Sequence, residues 1–429
     1  MDDSTSSAVA KVTARLLPLL FLGAVFAQLD RSNVSMAALQ MNDEIGLSPA
    51  VFGLGVAAFF VTYALLEVPS NMALGRFGAR RWLARIMITW GFISALSALV
   101  IGPKTFLLNR ILLGAAEAGF LPGVLTYLSM WLPERQRARV FSYFLVAIPV
   151  AVVLGGPLAA ALLSIDGLGL SGWQWLFVIE GLAPVVLGLV YLKVLRDAPH
   201  DAEWLSAEEA EALGRATGGG RSAPHARPGF GAMARSIANR KVLVFLLILA
   251  SLGGVNLGIT FWLPQVMKAA GLTTTETGFL STLPYAFGSV AMLLWARSSD
   301  RRQERRWHLV FPAMLAAVAL GLLPLAGGLP GQLTLIVFAM MGIFSAQAVF
   351  WSSVSGILEP DERFVGLAAI SAGGALLSFP VPSLIGISKQ VTGTFAAAFV
   401  LLAVLGIAGG LLSLVALQPS KPPPEPSIL

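Results

Sequence analysis

The stretch LLPLLFLGAVFAQLDRSNVSMAA, residues 16–38, is apolar except for a polar group near its centre that includes Asp30 and Arg31. Its length suits a helix crossing a bilayer core of ~30 Å, which needs about 20 residues. An Asp or Arg at the centre of such a helix costs about 2.5–3.5 kcal/mol on insertion scales. The stretch therefore predicts a membrane-spanning helix whose charges act on a polar solute inside the membrane.

A second apolar stretch, residues 105–130, carries Arg110 and Glu117. In a helix these two residues lie on nearly the same face, about 10.5 Å apart along the axis. Since neither charge can face lipid, that face is predicted to line a polar cavity. Asp30 and Arg31 are adjacent and about 100° apart around their helix. One of them is expected to face the cavity and the other a neighbouring helix.

The whole chain has the composition of a membrane protein, with 56% hydrophobic and 12% charged residues among 429. Soluble domains contain about 25% charged residues. The hydrophobic pattern predicts an all-α protein with twelve membrane spans, near residues 16–38, 50–70, 83–102, 105–130, 140–163, 174–195, 241–267, 276–296, 308–328, 331–357, 364–388 and 393–417.

The charge distribution predicts the topology and the domains. Three of the 29 Lys and Arg residues, Lys104, Lys268 and Lys389, fall in odd-numbered connections, so both termini are expected to be cytoplasmic. We predict six-helix bundles at residues 1–195 and 241–417, a cytoplasmic linker at 196–240 and a disordered tail at 418–429. Within the linker, a capping box at Ser206 and Glu209 predicts a short helix through Leu213, followed by a flexible break at Gly218–Gly220.

An internal repeat supports two related halves. The connection GRFGARR at residues 75–81 and the connection SDRRQERR at residues 299–306 each place paired arginines shortly after a turn. Halves related by an axis along the membrane normal are typical of transporters, with the solute site near mid-membrane.

The residue types suggest how the interior charges act. Arginine stays protonated and offers a planar fork to a carboxylate, so Arg31 and Arg110 are predicted to bind an anionic solute. Carboxyl groups in a dehydrating cavity can exchange protons near neutral pH, so Asp30 and Glu117 are predicted to carry protons. Protonation would free the arginines for the substrate, and loss of the proton would expel it.

Other interpretations of these charges stay open. Asp30–Arg31 and Arg110–Glu117 could be fixed ion pairs that lock helices together. Glu67 is either a third protonatable group or a hydrogen-bonding partner of a neighbouring helix. Glu180, near the start of the sixth span, is predicted to be a structural partner for polar groups.

The sequence contains no group of residues that is typical of an enzyme active site. It lacks Cys, and it shows no metal-ligand cluster, phosphate-binding loop, nucleophilic triad or nucleic-acid patch. We therefore expect no metal and no cofactor other than the proton as coupling ion.

The motifs together resemble the major facilitator superfamily along essentially the whole chain, and within it the anion:cation symporters of sugar acids, tartrate-like acids and phthalate. The resemblance is carried by residues 29–33 (LDRSN), 63–71 (YALLEVPSN), 78–85 (GARRWLAR), 110–117 (RILLGAAE) with Gly119, 173–177 (WQWLF), Glu180 with Gly181, and 202–205 (AEWL). It implies matching roles for the interior charges, a substrate contact at Tyr63, alternating access, a monomer and the bacterial inner membrane. It also implies a cytoplasmic gate, expected at Arg76, Arg80, Arg81, Asp300 and Arg301.

The chain departs from the family pattern at several positions. Gln28 replaces a frequent Tyr, and Gly75 replaces the usual acidic residue of the first-half gate. Ser371 and Ala375 stand where relatives tend to have two Asn, which indicates a changed pocket wall. Polar or amphipathic residues of the second half are candidates for the remainder of the substrate pocket, although packing explains each equally well: Asn256, Tyr285, Gln347, Trp351 and Ser371.

These observations favour a proton-coupled symporter that imports a small hydroxy, sugar or aromatic carboxylate. The alternatives are a proton-driven antiporter that exports drugs or metabolites and a membrane sensor that binds without transport.

Overall fold

The computed structural model describes residues 3–217, 235–357 and 360–417. Its secondary structure in these ranges is helical, apart from an isolated bridge between Gly167 and Leu170. The predicted break at Gly218–Gly220 and the predicted disordered tail at 418–429 lie outside the described residues.

The described residues 3–217 form a series of α-helices. They are α1 (Asp3–Glu44), α2 (Pro49–Phe77), α3 (Ala79–Leu96), α4 (Pro103–Glu117), α5 (Phe120–Trp131), α6 (Glu134–Leu145), α7 (Ala147–Leu163), α8 (Gly172–Val194) and α9 (Ala207–Ala216). Short 3-10 turns lie at Ser97–Leu99 and Pro199–Asp201.

The later helices follow the same pattern. They are α10 (Arg240–Ala269), α11 (Thr274–Leu280), α12 (Thr282–Arg302), α13 (Arg306–Leu322), α14 (Gly328–Ile357), α15 (Pro360–Ser378), α16 (Val381–Thr392) and α17 (Ala396–Ala416), with a 3-10 turn at Leu323–Leu325.

Twelve helical segments in the described residues are long and apolar enough to cross a membrane, which confirms the predicted all-α fold with twelve spans. Four of these spans consist of two consecutive helices: α4 with α5, α6 with α7, α11 with α12, and α15 with α16. The cytoplasmic placement of the termini stays a prediction.

By packing, the chain forms two compact units. One comprises Met1–Arg227, Leu257–Ala286 and Phe379–Phe395, and the other comprises Pro228–Asn256, Phe287–Ser378 and Ala396–Leu429. The predicted division into bundles at residues 1–195 and 241–417, with a linker between them, stays a prediction.

Helices α3 and α8 of the first unit lie very close together because glycines face each other. A Cβ placed on Gly91 would lie 2.5 Å from the Gly181 carbonyl oxygen, and one on Gly181 would lie 2.4 Å from the Ala95 nitrogen. Small residues allow helix backbones to approach this closely inside a membrane. Ser94 of α3 and Glu180 of α8, which are close in sequence to these glycines, are both buried.

Helix α9 begins with the predicted capping box. The Ser206 hydroxyl accepts from the Glu209 nitrogen at 3.1 Å, and the Glu209 carboxylate accepts from the Ser206 nitrogen at 2.9 Å. Glu209 also accepts from Lys11 and Ser7 of α1, at 2.8 and 2.7 Å. The prediction of a helix here is confirmed, and these bonds attach it to the start of α1.

Candidate functional site

Arg31 and Glu117 form an ion pair between α1 and α4. The Arg31 Nη2 and Nε lie 2.6 and 2.7 Å from the same carboxylate oxygen, Oε1 of Glu117. Glu117 is fully buried, and its Oε2 has no hydrogen-bond partner in the described part of the chain. The pair therefore leaves one carboxylate oxygen available for a proton or for another donor.

Aromatic rings cover both interior arginines. The Arg31 guanidinium carbon lies 4.7 Å from the centre of the Tyr63 ring, and that of Arg110 lies 4.7 Å from the centre of the Phe59 ring. A guanidinium over an aromatic face gains about 0.5–2 kcal/mol, more when it is desolvated. Both rings belong to α2, and the Tyr63 side chain is also hydrogen-bonded to Arg31.

Arg110 is the most deeply buried guanidinium of the site. Its exposed fraction is 2%, and its Nε and Nη2 are buried without an acceptor among the residues that the structure describes. A buried cation with unpaired N–H groups is costly unless an acceptor compensates it. Arg110 is therefore the side chain best prepared to take a carboxylate.

Asp30 lies on the same helix as Arg31 but has different neighbours. It is buried, and it accepts a hydrogen bond from the Ser94 hydroxyl of α3. Its Oδ2 has no partner within the described ranges. Asp30 is close enough to Arg110 for the two charges to interact, although no ion pair joins them in the described residues.

The observed pairing corrects one alternative interpretation of the sequence. Arg31 pairs with Glu117 of another helix, so the two fixed pairs Asp30–Arg31 and Arg110–Glu117 are wrong. Side chains that are adjacent on a helix point about 100° apart, which allows a neighbouring helix to supply the partner. The structure thus brings Asp30, Arg31, Arg110 and Glu117 into one buried network, with Tyr63 beside it.

A helix break lies next to Glu117, where the sequence predicts one continuous span. Helix α4 ends at Glu117, and α5 begins at Phe120 after Gly119, which has a φ of 85°. A Cβ on Gly119 would lie 2.5 Å from the Ser70 hydroxyl oxygen. A left-handed backbone conformation favours glycine. Gly119, two residues after Glu117, is therefore the sequence feature that indicates this break. Discontinuous helices commonly line solute and ion sites in transporters.

The predicted gate residues of the first half have individual contacts. The Arg80 side chain donates from Nε to the Leu192 carbonyl at 2.7 Å, while its backbone nitrogen donates to Asp197 at 2.9 Å. Arg76 and Arg81 are exposed. Asp197, which the sequence analysis did not single out, supplies a carboxylate next to a connection where Gly75 replaces the usual acid.

The corresponding connection of the second half has an ion pair. Asp300 lies 2.7 Å from the Arg305 Nη1, and the same nitrogen donates to the Ser299 hydroxyl at 2.8 Å. Arg301 is exposed. Asp300 therefore pairs with Arg305, which belongs to the second of the two arginine pairs in this connection.

Two of the candidate pocket residues of the second half contact each other. Asn256 donates to Gln347 at 3.2 Å, and Tyr285 is hydrogen-bonded to Thr260. The other two are exposed: Trp351, with an exposed fraction of 43%, and Ser371. Their roles in substrate binding stay predictions.

Comparison with known proteins gives the family. The Major Facilitator Superfamily pattern matches residues 20–382. A protein of Agrobacterium vitis named for tartrate transport is 40% identical over 426 residues, covering 96% of this chain and 92% of the relative. The quinolone resistance transporter of Acinetobacter baumannii is 36% identical, covering 96% of this chain and 95% of the relative.

A solved structure shares the fold. The xylose transporter of Escherichia coli, in an inward-open conformation, superposes with a TM-score of 0.72 at 17% identity, covering 94% of this chain and 95% of that one. With this fold and a family match over most of its length, the chain belongs to the Major Facilitator Superfamily, whose members are transporters and not enzymes, and is a multi-pass protein of the bacterial inner membrane.

Proposed function

We propose that this protein is a proton-coupled symporter that imports a small organic anion, a hydroxy, sugar or aromatic carboxylate, by alternating access. The observation that carries the proposal is the buried network of two arginines and two acids. One arginine, Arg31, is engaged by Glu117 at 2.6 Å, while Arg110 has buried N–H groups without acceptors in the described residues.

Substrate binding follows from the arginine chemistry. The carboxylate of the anion binds Arg110 first, because its Nε and Nη2 lie side by side in the guanidinium plane and match two carboxylate oxygens. Phe59 and Tyr63 present apolar ring faces next to the cations and contact the body of the substrate.

Proton coupling follows from competition for Arg31. While Glu117 is ionised, its Oε1 occupies two N–H groups of Arg31. Protonation of Glu117 removes the charge that holds the pair and frees Arg31 for the substrate carboxylate. Asp30, which acts on Arg110, takes the second proton-carrying role. Return of the proton to the cytoplasm restores the Arg31–Glu117 pair and displaces the anion.

The relatives support a small organic acid as substrate. The Agrobacterium vitis relative is named for tartrate, a dicarboxylate, and a second relative, from Pseudomonas putida, is named as a metabolite transport protein at 37% identity. Two arginines in one network suit an anion with one or two carboxylates.

The Acinetobacter baumannii relative supports a second candidate, a proton-driven antiporter that exports drugs. An antiporter moves protons opposite to the solute and does not need Arg31 for a carboxylate. The two functions therefore differ in the direction of proton movement and in their dependence on the arginines.

Uptake into proteoliposomes distinguishes these functions. Hydroxy, sugar and aromatic acids are screened under an inward proton gradient, and a symporter accumulates its substrate until a protonophore is added. The methyl ester of that substrate should not compete, since it lacks the anion that the arginines bind. Solute-driven proton movement in the opposite direction would establish the antiporter, and binding without flux would establish a sensor.

A further inference from the structure

A buried amide and a buried carboxyl group meet between α1 and α8, outside the roles assigned above. Asn33 and Glu180 have exposed fractions of 3% and 8%, and the Asn33 Nδ2 donates to the Glu180 Oε2 at 3.0 Å. Asn33 follows Asp30 by about one helical turn, so both face α8 and α3 from the same side of α1. The pair therefore adjoins the proton-carrying network, and Asn33 is also hydrogen-bonded to Asp30.

In each of the two side chains, one oxygen lacks a hydrogen-bond partner in the described residues. Oδ1 of Asn33 and Oε1 of Glu180 are buried and accept no hydrogen bond from any described residue. A carboxylate can only accept hydrogen bonds, and so can the oxygen of an amide. A carboxylic acid, by contrast, complements a primary amide at two points, because its C=O accepts from the amide N–H and its O–H donates to the amide oxygen. One proton on Glu180 thus provides a hydrogen bond between Oε1 of Glu180 and Oδ1 of Asn33, the two oxygens that otherwise lack partners in the described part of the chain.

Charge balance points to the same protonation state. The first half holds three buried carboxyl groups, Asp30, Glu117 and Glu180, against the buried guanidinium of Arg110 and the half-buried one of Arg31. Arg31 is engaged by Glu117, and Arg110 acts on Asp30. No cation forms an ion pair with Glu180 within residues 3–217, 235–357 and 360–417. An unpaired charge buried in this way is strongly disfavoured, whereas a hydrogen-bonded neutral acid is not.

We propose that Glu180 is a third proton-binding carboxyl group of the first half, held as the neutral acid at neutral pH by a two-point hydrogen-bonded pair with the Asn33 carboxamide. The site binds a proton and no other ligand. This proposal rests on the proposed function in one respect: when Glu180 is neutral, Asp30 can ionise without a second negative charge beside it.

The neighbours of Glu180 define what can influence this proton. Helix α8 packs against α1, α3 and α7. On α1 the charged group that acts on Glu180 is Asp30, and the described parts of α3 and α7 contribute no charge that acts on it. Asp30 and Glu180 are therefore coupled, and they release protons as a pair and not as independent groups.

Infrared spectroscopy of the reconstituted protein tests the protonation state directly. The difference between wild type and Glu180→Gln should contain a carboxylic acid C=O band at neutral pH. Replacement of Asn33 by Leu should shift that band, because the acid loses its amide partner. Absence of the band at neutral pH would show an ionised Glu180 and overturn the proposal. A band that Asn33→Leu leaves in place would overturn the two-point pair.

Thermal stability at alkaline pH provides a second measurement. Deprotonation of Glu180 leaves a buried carboxylate facing a buried amide oxygen, so wild type should lose stability as the pH rises towards about 10. Glu180→Gln cannot ionise and should lose less over the same range. Equal losses in the two proteins would contradict the proposal.

The double variant Asn33→Asp with Glu180→Gln is the matched control, since it exchanges the acid and the amide across the same pair. It should keep an acid C=O band and be more stable than Asn33→Asp alone. A double variant no more stable than that single variant would argue against a two-point pair. None of these measurements needs a substrate, so failure of the transport assays leaves this test unaffected.

Discussion

Arg31 of α1 directs two of its nitrogens, Nη2 at 2.6 Å and Nε at 2.7 Å, to one oxygen of Glu117 on α4. The other carboxylate oxygen is buried and has no partner among the described residues. An ion pair in which the guanidinium contacts both carboxylate oxygens would hold the two helices together more strongly. This one-oxygen arrangement instead leaves the second oxygen of Glu117 free of partners in the described residues, where the proposed coupling proton can bind.

Glu117→Gln tests this role of the carboxylate. Gln keeps the shape and a carbonyl oxygen for Arg31 but cannot ionise. We expect the variant to bind substrate and to exchange it in counterflow assays, while it loses accumulation driven by a proton gradient. Uphill uptake by Glu117→Gln would place the coupling proton elsewhere.

Arg110→Lys tests the substrate clamp. Lys keeps the charge but lacks the planar fork, and truncating one partner of a buried charged pair costs about 2–5 kcal/mol. Substrate affinity should therefore fall roughly 30-fold or more, as measured by titration of the purified protein. The exposed Arg139 offers a matched control, and Arg139→Lys should bind normally. Equal affinities in the two variants would remove Arg110 from the site.

Ser94→Ala tests the hydrogen bond to Asp30. Loss of a buried hydrogen bond to a charged group costs about 1.5–3 kcal/mol, so the melting temperature should fall. In an Asp30→Asn background the same substitution should cost less, because the acceptor no longer carries charge. Ser164→Ala, at an exposed hydroxyl bonded to the Ala161 carbonyl, is the control. Additive effects in the double variant would show that Ser94 and Asp30 act independently.

Gly119→Ala tests the break between α4 and α5. A side chain at a φ of 85° costs about 1–2 kcal/mol, and the new Cβ would also meet the Ser70 hydroxyl. We expect lower thermal stability and a disturbed Glu117, seen as reduced proton-driven uptake. Gly75→Ala, in helical backbone with open space around it, should be neutral or stabilising. A Gly119→Ala protein as stable and active as Gly75→Ala would show that the break is not required.

The attachment of α9 to α1 should depend on pH. Hydrogen bonds from Lys11, the Ser206 backbone and Ser7 lower the pKa of Glu209 from 4.5 to about 2. Because the attached state favours the ionised form, its stabilisation is complete above about pH 4.5 and is lost as the pH falls towards about 2. Hydrogen exchange of the α9 amides, corrected for intrinsic rates, should therefore increase in acid.

Two variants at α9 separate this effect from general acid unfolding. Glu209→Gln should exchange faster already at neutral pH and respond less to acid. Glu208→Gln removes the charge of an exposed side chain and keeps an oxygen that accepts from Ser4, so it should behave like wild type. An identical acid response in Glu209→Gln and wild type would mean that another group controls the attachment.

Local sequence determined the spans and the short helix α9. A membrane span depends on the apolar character of about 20 consecutive residues, and a capping box depends on residues three apart, so both are visible in the chain itself. The identity of the four interior charges was equally visible, because charge in an apolar segment is costly wherever the segment packs. The family motifs added Tyr63, which lies over Arg31.

Only the tertiary structure decided which charge meets which partner. Arg31 and Glu117 are 86 residues apart, and Asn33 and Glu180 are 147 residues apart, so their contacts depend on how α1, α4 and α8 pack. The position of α8 depends in turn on Gly91 of α3 and Gly181 of α8, whose lack of a side chain permits the close approach of these two helices. The hydrophobic periodicity of the sequence shows which face of a single helix is apolar. Hydrogen bonds between two helices depend on the rotation and separation of both helices, which the tertiary structure determines.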